Sequence, residues 1–599
     1  MKKIHAILFF LLLLNFMVTT TGNAAGAPQI MYTLTFPEAQ AHYVDVEMRI
    51  SGLNQQELKL KMPVWTPGSY LVREFSRNIE SISAAAGQKE LAIQKIRKNI
   101  WHVNTTGIPA ITVRYRVYAF EISVRTSFID AAHAFLSSPD IFIYPDGMLG
   151  QPSTIHILPY KNWTTVSTSL ERVNNDAFTL HSPNYDILFD SPIEVGTQDV
   201  FGFETGGVKY EVAMCGGGNY DKERLKKDMP RIVQQETAIY GENPNKHYTF
   251  IVHNYLKNGG GLEHLSSCVL GATRVQYADE KGYASFLGLV AHEHFHLWNV
   301  KRLRPIALGP FDYDNENYTT NLWIAEGFTA YYQDIIVRRT HLYPPENYLA
   351  LMADNITSNE NTPGTKVQTL AESSYDAWIK AYRPNENSAN STISYYTKGN
   401  IIALLLDLEI INTTKGAKSL DDVMKYMYTE YYKIKKRGYT DAEFKQGIEK
   451  IAGKNFDEFY KNYVYGLTPI DYNKYLQYAG YKLADEYAGS NDPALGISTA
   501  VSGGKVIVAA VARGSAAWID GINVNDELVS INGTPLTTTN GILNGKKPGD
   551  RLTIVVNRDG LPITLNVTLL RNTRVKYKVE PLDNLSDQQI TVRNKWLTL

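Results

Sequence analysis

The sequence has 599 residues, too many for one hydrophobic core, so on the order of two to four domains are expected. Lys and Arg number 60 against 61 Asp and Glu, a net charge of -1 with no basic stripe, which argues against a nucleic-acid partner. Two cysteines, Cys215 and Cys268, exclude a disulfide scaffold and leave one bridge between them as the most that could form.

The chain starts MKKIHAILFFLLLLNFMVTTTGNAAGA, with Lys2 and Lys3 before an apolar run from Ile7 to Val18 and the small residues Ala24, Ala25 and Ala27 after it. This is the pattern of a secretory signal peptide over residues 1–25. The run is shorter than the ~20 apolar residues a membrane span needs, so an exported, periplasmic protein with no span after signal cleavage is expected. From 28 to 203 the signals are β. YTLTF, YVDVEMRI, LKLKMPVW, TVRYRVYAF and ISVRTSF alternate or are rich in β-branched and aromatic residues, with Gly, Pro and Asn between them. From 204 to 480 a strand (KYEVAMC), a helix (YDKERLKKDMPRIVQQETAIYG) and another strand (HYTFIVHNY) lead into long helical patterns such as SLDDVMKYMYTEYYKIKKR. A third unit, 488–571, returns to short strands and turns, and 572–599 reads as a C-terminal tail.

The stretch LVAHEHFHLWNVKRLRP, residues 289–305, falls early in the helical region. In a helix His292 and His296 share one face, with Cβ atoms about 5–6 Å apart. Both imidazoles can then aim at one cation, as in the H-E-x-x-H pattern. Glu293 would lie beside that cation, placed to handle a water. His294 points the other way and is expected to pack or hydrogen-bond behind the helix. Downstream, NLWIAEGFTAYYQDII repeats apolar residues at helical spacing through Leu322, Ala325, Phe328, Tyr332 and Ile335. Glu326 sits inside that pattern, where an unpaired carboxylate is costly to bury, and a cation removes the cost. His292, His296 and Glu326 therefore form a candidate His₂Glu site for one zinc per chain, with a fourth position left for water.

HEHFHLWNVKRLRP followed by WIAEGFTAYY resembles the glycyl aminopeptidase family of zinc peptidases, within the H-E-x-x-H plus Glu group that includes thermolysin and the larger aminopeptidases. MPVWTPGSYLVREFSRNI (62–79) resembles that family's N-terminal signature and YYTKGN (395–400) a late one. The resemblance implies a multidomain α+β chain with a β-sandwich-like N-terminal domain, a thermolysin-like, mainly helical catalytic domain and a C-terminal PDZ domain. By the same resemblance GGGLEH (259–264) is an exopeptidase motif. In it Glu263 would pair with the substrate's α-amine, while Gly260 and Gly261 let backbone approach the peptide. Tyr396 of Y-x-K-G would donate to the developing oxyanion, with Tyr395 its competitor. Ala330 replaces the acidic residue that usually orients a zinc-bound histidine, which leaves Asp334 or a backbone carbonyl for that task. Arg302 and Arg304 could bind a carboxylate but are expected to brace the fold. The PDZ likeness places Leu495-Gly496-Ile497 at a carboxylate-binding loop and Asn532-Gly533 at a turn, with a short groove helix near 537–543. A peptide ligand at that groove is a partner the likeness allows.

These readings predict an exported zinc aminopeptidase acting on peptides with a free N-terminus and removing glycine or alanine. The rivals are a zinc endopeptidase with the same site and a catalytically silent PDZ peptide-binding protein.

Overall fold

The computed structural model describes residues 28–257 and 259–598. The expected signal peptide lies outside them. Among the described residues no helix is long and apolar enough to cross a membrane.

The N-terminal unit packs an eight-stranded sheet and two four-stranded ones around a shared core. Alternation puts every second residue inside. In strand Tyr43–Ser51, Val44, Val46, Met48 and Ile50 are buried, and they pair across to Val117, Tyr115, Val113 and Ile111 of Ala110–Tyr118. ISVRTSF departs from expectation, because only Phe128–Ile129 is a strand there. Ser123 Oγ accepts from the Arg125 N–H at 3.1 Å and Thr126 Oγ1 donates to the Glu121 carbonyl at 3.3 Å. These local bonds compete with a strand ladder and turn the segment into a loop that carries Arg125 out of the unit.

The second unit begins inside what reads as the first. Strand Asp199–Thr205 forms a hairpin with Val208–Cys215, and both belong to a five-stranded sheet continued by His247–Tyr255, Ser267–Thr273 and, at the edge, Gly261–Glu263. Trp65 and Tyr70, from the N-terminal signature, are buried in the core of this second unit, and Trp65 Nε1 donates to the Asp312 carbonyl at 2.8 Å. Cys215 pairs in register with His253 and Cys268 with Phe250, three residues apart along the strand between them. Both thiols are buried and unbridged.

Residues 572–598 are not a tail. Strand Tyr577–Pro581 pairs antiparallel with Tyr481–Asp485, and helix Asp587–Leu597 buries Val592, Trp596 and Leu597 in the catalytic core. The helix signal is the capping box Ser586…Gln589, both halves of which are formed. The PDZ unit is thus an insertion, leaving the catalytic unit after Asp485 and returning at Tyr577. It has its own core of buried aliphatic residues. Asn532 and Gly533 both take positive φ at the expected turn. The expected groove helix is absent. Residues 537–539 are irregular and 540–545 run as turns, with Thr539 Oγ1 3.1 Å from Thr499 Oγ1 on the strand Ile497–Ser502. The PDZ unit also touches the catalytic unit at Asn390, which donates to the Val511 carbonyl and accepts from the Arg513 N–H, both at 2.8 Å.

The insertion topology makes a prediction. Joining Glu486 to Lys576 and omitting the PDZ residues should leave a folded catalytic unit, since Glu486 N already donates to Lys576 O at 2.7 Å. Trp596→Ala, by contrast, should destabilise that unit by about 3–5 kcal/mol, measured by denaturant unfolding. A loss under about 1 kcal/mol would show that the last helix is only docked on the surface.

Candidate active site

Helix Glu280–Phe295 carries His292 and Glu293 in its last turn, and His296 is its C-cap residue. The His292 and His296 rings lie 4.8 Å apart at 81°. Their Nε2 atoms are 3.6 and 3.2 Å from the same oxygen, Glu326 Oε2. Zinc bonds of about 2.0–2.2 Å in a tetrahedron put neighbouring ligand atoms roughly 3.3 Å apart, so the three donors fit that ion. All three residues are buried. A second cluster, His133, Glu194 and His253, fails the same comparison. Its nitrogen–oxygen separations are 2.6 and 2.9 Å, each imidazole taking a different oxygen, so it is a hydrogen-bonded chain between the first two units.

Glu326 sits in a π-helical stretch, Trp323–Phe328, that runs into the α-helix Thr329–Arg339. The wide turn frees carbonyls that need partners. Asn299 supplies them, its Nδ2 donating to Ile324 O at 2.9 Å and Ala325 O at 3.2 Å. The Asn299 carbonyl lies 2.8 Å from His296 Nδ1. One residue therefore braces both the Glu326 turn and a ligand imidazole, and a backbone carbonyl takes the orienting role that Ala330 cannot. Asp334 instead accepts from Asn400 and Gln333, each at 3.3 Å. Gly327 meets Gly399 of helix Tyr395–Thr413 backbone to backbone, where a Cβ on Gly327 would lie 2.5 Å from the Gly399 Cα. That contact explains the glycine of Y-T-K-G and carries Tyr395 and Tyr396 to the site.

The site lines a cavity of about 570 Å³. Edge strand Gly261–Glu263 forms one wall. Gly261 lies flush on Glu293, so that a Cβ there would overlap the Glu293 carboxylate, and Gly260 turns at φ +77°. Glu263, at the strand's end, is buried with Oε1 unpartnered, and the Gly68 backbone (φ +87°) leaves room for its carboxylate, which a Cβ would approach to 2.5 Å. Tyr396 stacks over His292, centroids 6.2 Å apart at 29°, while Tyr395 is fully buried behind it and stacks on Tyr396 at 4.7 Å.

His294 lies on the opposite face, its Nδ1 2.5 Å from Glu236 Oε2 among Tyr248, Phe250 and Trp298. Burial pushes its pKa down to about 3 and raises that of Glu236. Arg302 donates to the Leu297 and Leu265 carbonyls and to Asn245, and Arg304 lies over the Phe311 ring, so both brace the fold. Arg125, Lys380, Tyr382 and Gly68 also line the cavity. Arg125 comes from a segment that reads as strand and Asn299 from within HLWNV, where no local signal marks either.

Burial pushes the Glu293 carboxyl up to about 8, with His296 opposing and the Glu263 and Glu326 charges adding. Burial also acts upwards on Glu326, but His296 and His292 outweigh it and hold Glu326 at about 2. Burial works against protonated His296, yet Glu326 and Glu263 raise it to about 10.

Asn299→Ala should weaken zinc binding by about 10–100-fold, read by competition with a chromophoric chelator. Unchanged affinity would mean that the His296–carbonyl contact holds without its side-chain brace.

Family comparisons match residues 31–197 to the Peptidase M61 N-terminal domain, 285–402 to M61 glycyl aminopeptidase and 493–569 to a PDZ domain. The crystal structure of an aminopeptidase N family protein from Idiomarina loihiensis is 28% identical and superposes with a TM-score of 0.88, over 95% of this chain and 100% of that one. An M1 zinc metallopeptidase from Deinococcus radiodurans is 12% identical with a TM-score of 0.45, over 74% of this chain and 93% of that one. Among curated proteins, the mouse serine protease HTRA4 is 44% identical over 63 residues, 10% of this chain and only 13% of that protein's length.

Proposed function

We propose that this chain, which belongs to the M61 glycyl aminopeptidase family of zinc metallopeptidases, removes glycine or alanine from the free N-terminus of peptides, using one zinc held by His292, His296 and Glu326. The observation that carries the exopeptidase reading is Glu263. It is a buried carboxylate with an unpartnered oxygen, at the end of the edge strand and within 4.8 Å of ligand atoms on Glu293 and His296. An unpaired buried anion in a substrate cavity suits a cationic ligand group, and the α-amine is the one cation every free peptide brings.

When bound, zinc supplies Lewis acidity towards the scissile carbonyl and the attacking water. Glu293 Oε2, buried without a partner, takes a proton from that water and returns it to the leaving amine. The Tyr396 hydroxyl donates to the carbonyl oxygen as negative charge develops there. Gly261 keeps the strand close to Glu293, and the edge N–H and C=O groups of Gly261–Glu263 hold the substrate backbone by strand addition. The preference for glycine and alanine rests on the family match, and export on the apolar N-terminus.

Glu263→Ala should cut kcat/KM about 10–100-fold on peptides with a free amine and erase most of the preference over N-acetylated peptides. Equal cleavage of free and blocked peptides by wild type would replace the aminopeptidase reading with an endopeptidase one. Tyr396→Phe should lower kcat by roughly 10²–10³ with little change in KM. Should Tyr395→Phe do so instead, the oxyanion donor is its neighbour.

A further inference from the structure

The N-terminal unit places a cation in the cavity that the hydrolytic steps do not use. Arg125 reaches the wall from its loop, and among the described residues its guanidinium makes one hydrogen bond, to the Gly261 carbonyl at 3.1 Å, while its Nε is buried without a partner. No carboxylate among the described residues lies within ion-pair distance of it. Gly260 is adjacent, since a Cβ there would sit 3.8 Å from Arg125 Nη1. A second guanidinium, Arg73, donates to Ser69 Oγ at 3.0 Å and has its nearest carboxylate, Glu121, at 4.0 Å. Burial disfavours the Arg73 charge and the proximity of Arg125 disfavours it further. Both side chains are half-buried, and Arg125, the one that lines this cavity, is placed to take an anion.

The spacing along the edge strand says which anion. A strand advances about 3.4 Å per residue, so the Gly261 backbone lies about 7 Å from the Glu263 end, and Glu293 packs on Gly261. An extended dipeptide spans at most about 7 Å. With its amine at Glu263, a substrate running along Leu262 and Gly261 has its first peptide bond about 3.5 Å further on, beside the Glu293 carboxylate, a ligand atom of which lies within 4.8 Å of one on Glu263. Its second residue then ends beside Arg125.

We propose that Arg125 binds the free C-terminal carboxylate of short substrates, so that the enzyme favours dipeptides over longer or C-terminally blocked peptides. This rests on the aminopeptidase reading, with Glu263 fixing one end of the substrate and Arg125 the other. Arg125 is then a specificity residue of the proposed site, and the N-terminal unit contributes to substrate choice through it.

The test compares alanyl-alanine with alanyl-alanine amide. Wild type should favour the free acid by about 10–100-fold in kcat/KM, the loss expected for one charge-assisted contact. Arg125→Gln should bring the ratio of the two within about threefold and Arg125→Lys should retain part of the preference. The same pair is measured by calorimetry on zinc-loaded Glu293→Gln and on Glu293→Gln/Arg125→Gln, so that binding is read without turnover. A wild-type ratio near one, or a ratio that Arg125→Gln leaves unchanged, overturns the proposal and reduces Arg125 to a brace for Gly261. Cleavage of N-acetyl-alanyl-alanine as fast as alanyl-alanine would instead overturn the aminopeptidase reading, and the acid-to-amide binding ratio would still decide on Arg125.

Discussion

Where the Glu326 helix crosses Tyr395–Thr413, Gly327 and Gly399 touch with no side chain between them, and the geometry of the site depends on that contact. Close approach lets the π turn of Trp323–Phe328 point Glu326 at His292 and His296. It also brings the first turn of the second helix, with Tyr395 and Tyr396, over the same imidazoles. A methyl group on either glycine would separate the helices. Glu326 and Tyr396 would then move in opposite directions, so one substitution would disturb both the ligand set and the proposed oxyanion donor. Packed interiors transmit such displacements because they have little free space to absorb them.

The site is also a concentration of buried charge. Glu263, Glu293 and Glu326 share one cavity with the imidazoles of His292 and His296 and with Arg125. Burial opposes the ionisation of Glu293 and Glu326, and the neighbouring carboxylates add to that on Glu293. Glu326 remains ionised because two imidazoles face it, whereas Glu293 is pushed towards neutrality. A divalent cation on the His292–His296–Glu326 side and an ammonium on the Glu263 side would each relieve part of this repulsion. On this view metal binding and amine binding support one another through the carboxylates they share.

Much of this was legible in the residues because it is local. His292 and His296 share a helical face at any packing, and Glu326 stands out as a carboxylate within an apolar stripe. His294 is assigned to the far side by the same periodicity. The contributions with no local signature are tertiary or contrary to pattern. Arg125 comes from a β-like string whose Ser and Thr side chains hold it as a loop, and it meets Gly261 across 136 positions of sequence. Asn299 looks like any polar residue at a helix end until the π turn offers it carbonyls. The groove helix of the PDZ unit fails to form around Gly541, and the final helix was hidden by its polar composition despite its capping box.

The inserted PDZ unit has a consequence for how the chain is made. Val592, Trp596 and Leu597 fill the same core as residues of the Glu280–Phe295 helix, about three hundred positions earlier. That core cannot close until residues 592–597 have emerged from the ribosome. Until then a groove with apolar walls stays open, with the whole PDZ unit synthesised in the meantime, and long-range closure of this kind is slow and prone to aggregation. A polypeptide interrupted before residue 592 would contain all three proposed zinc ligands and yet lack the helix that completes their scaffold. Prematurely ended chains should therefore be substrates for quality control and not partly active peptidases.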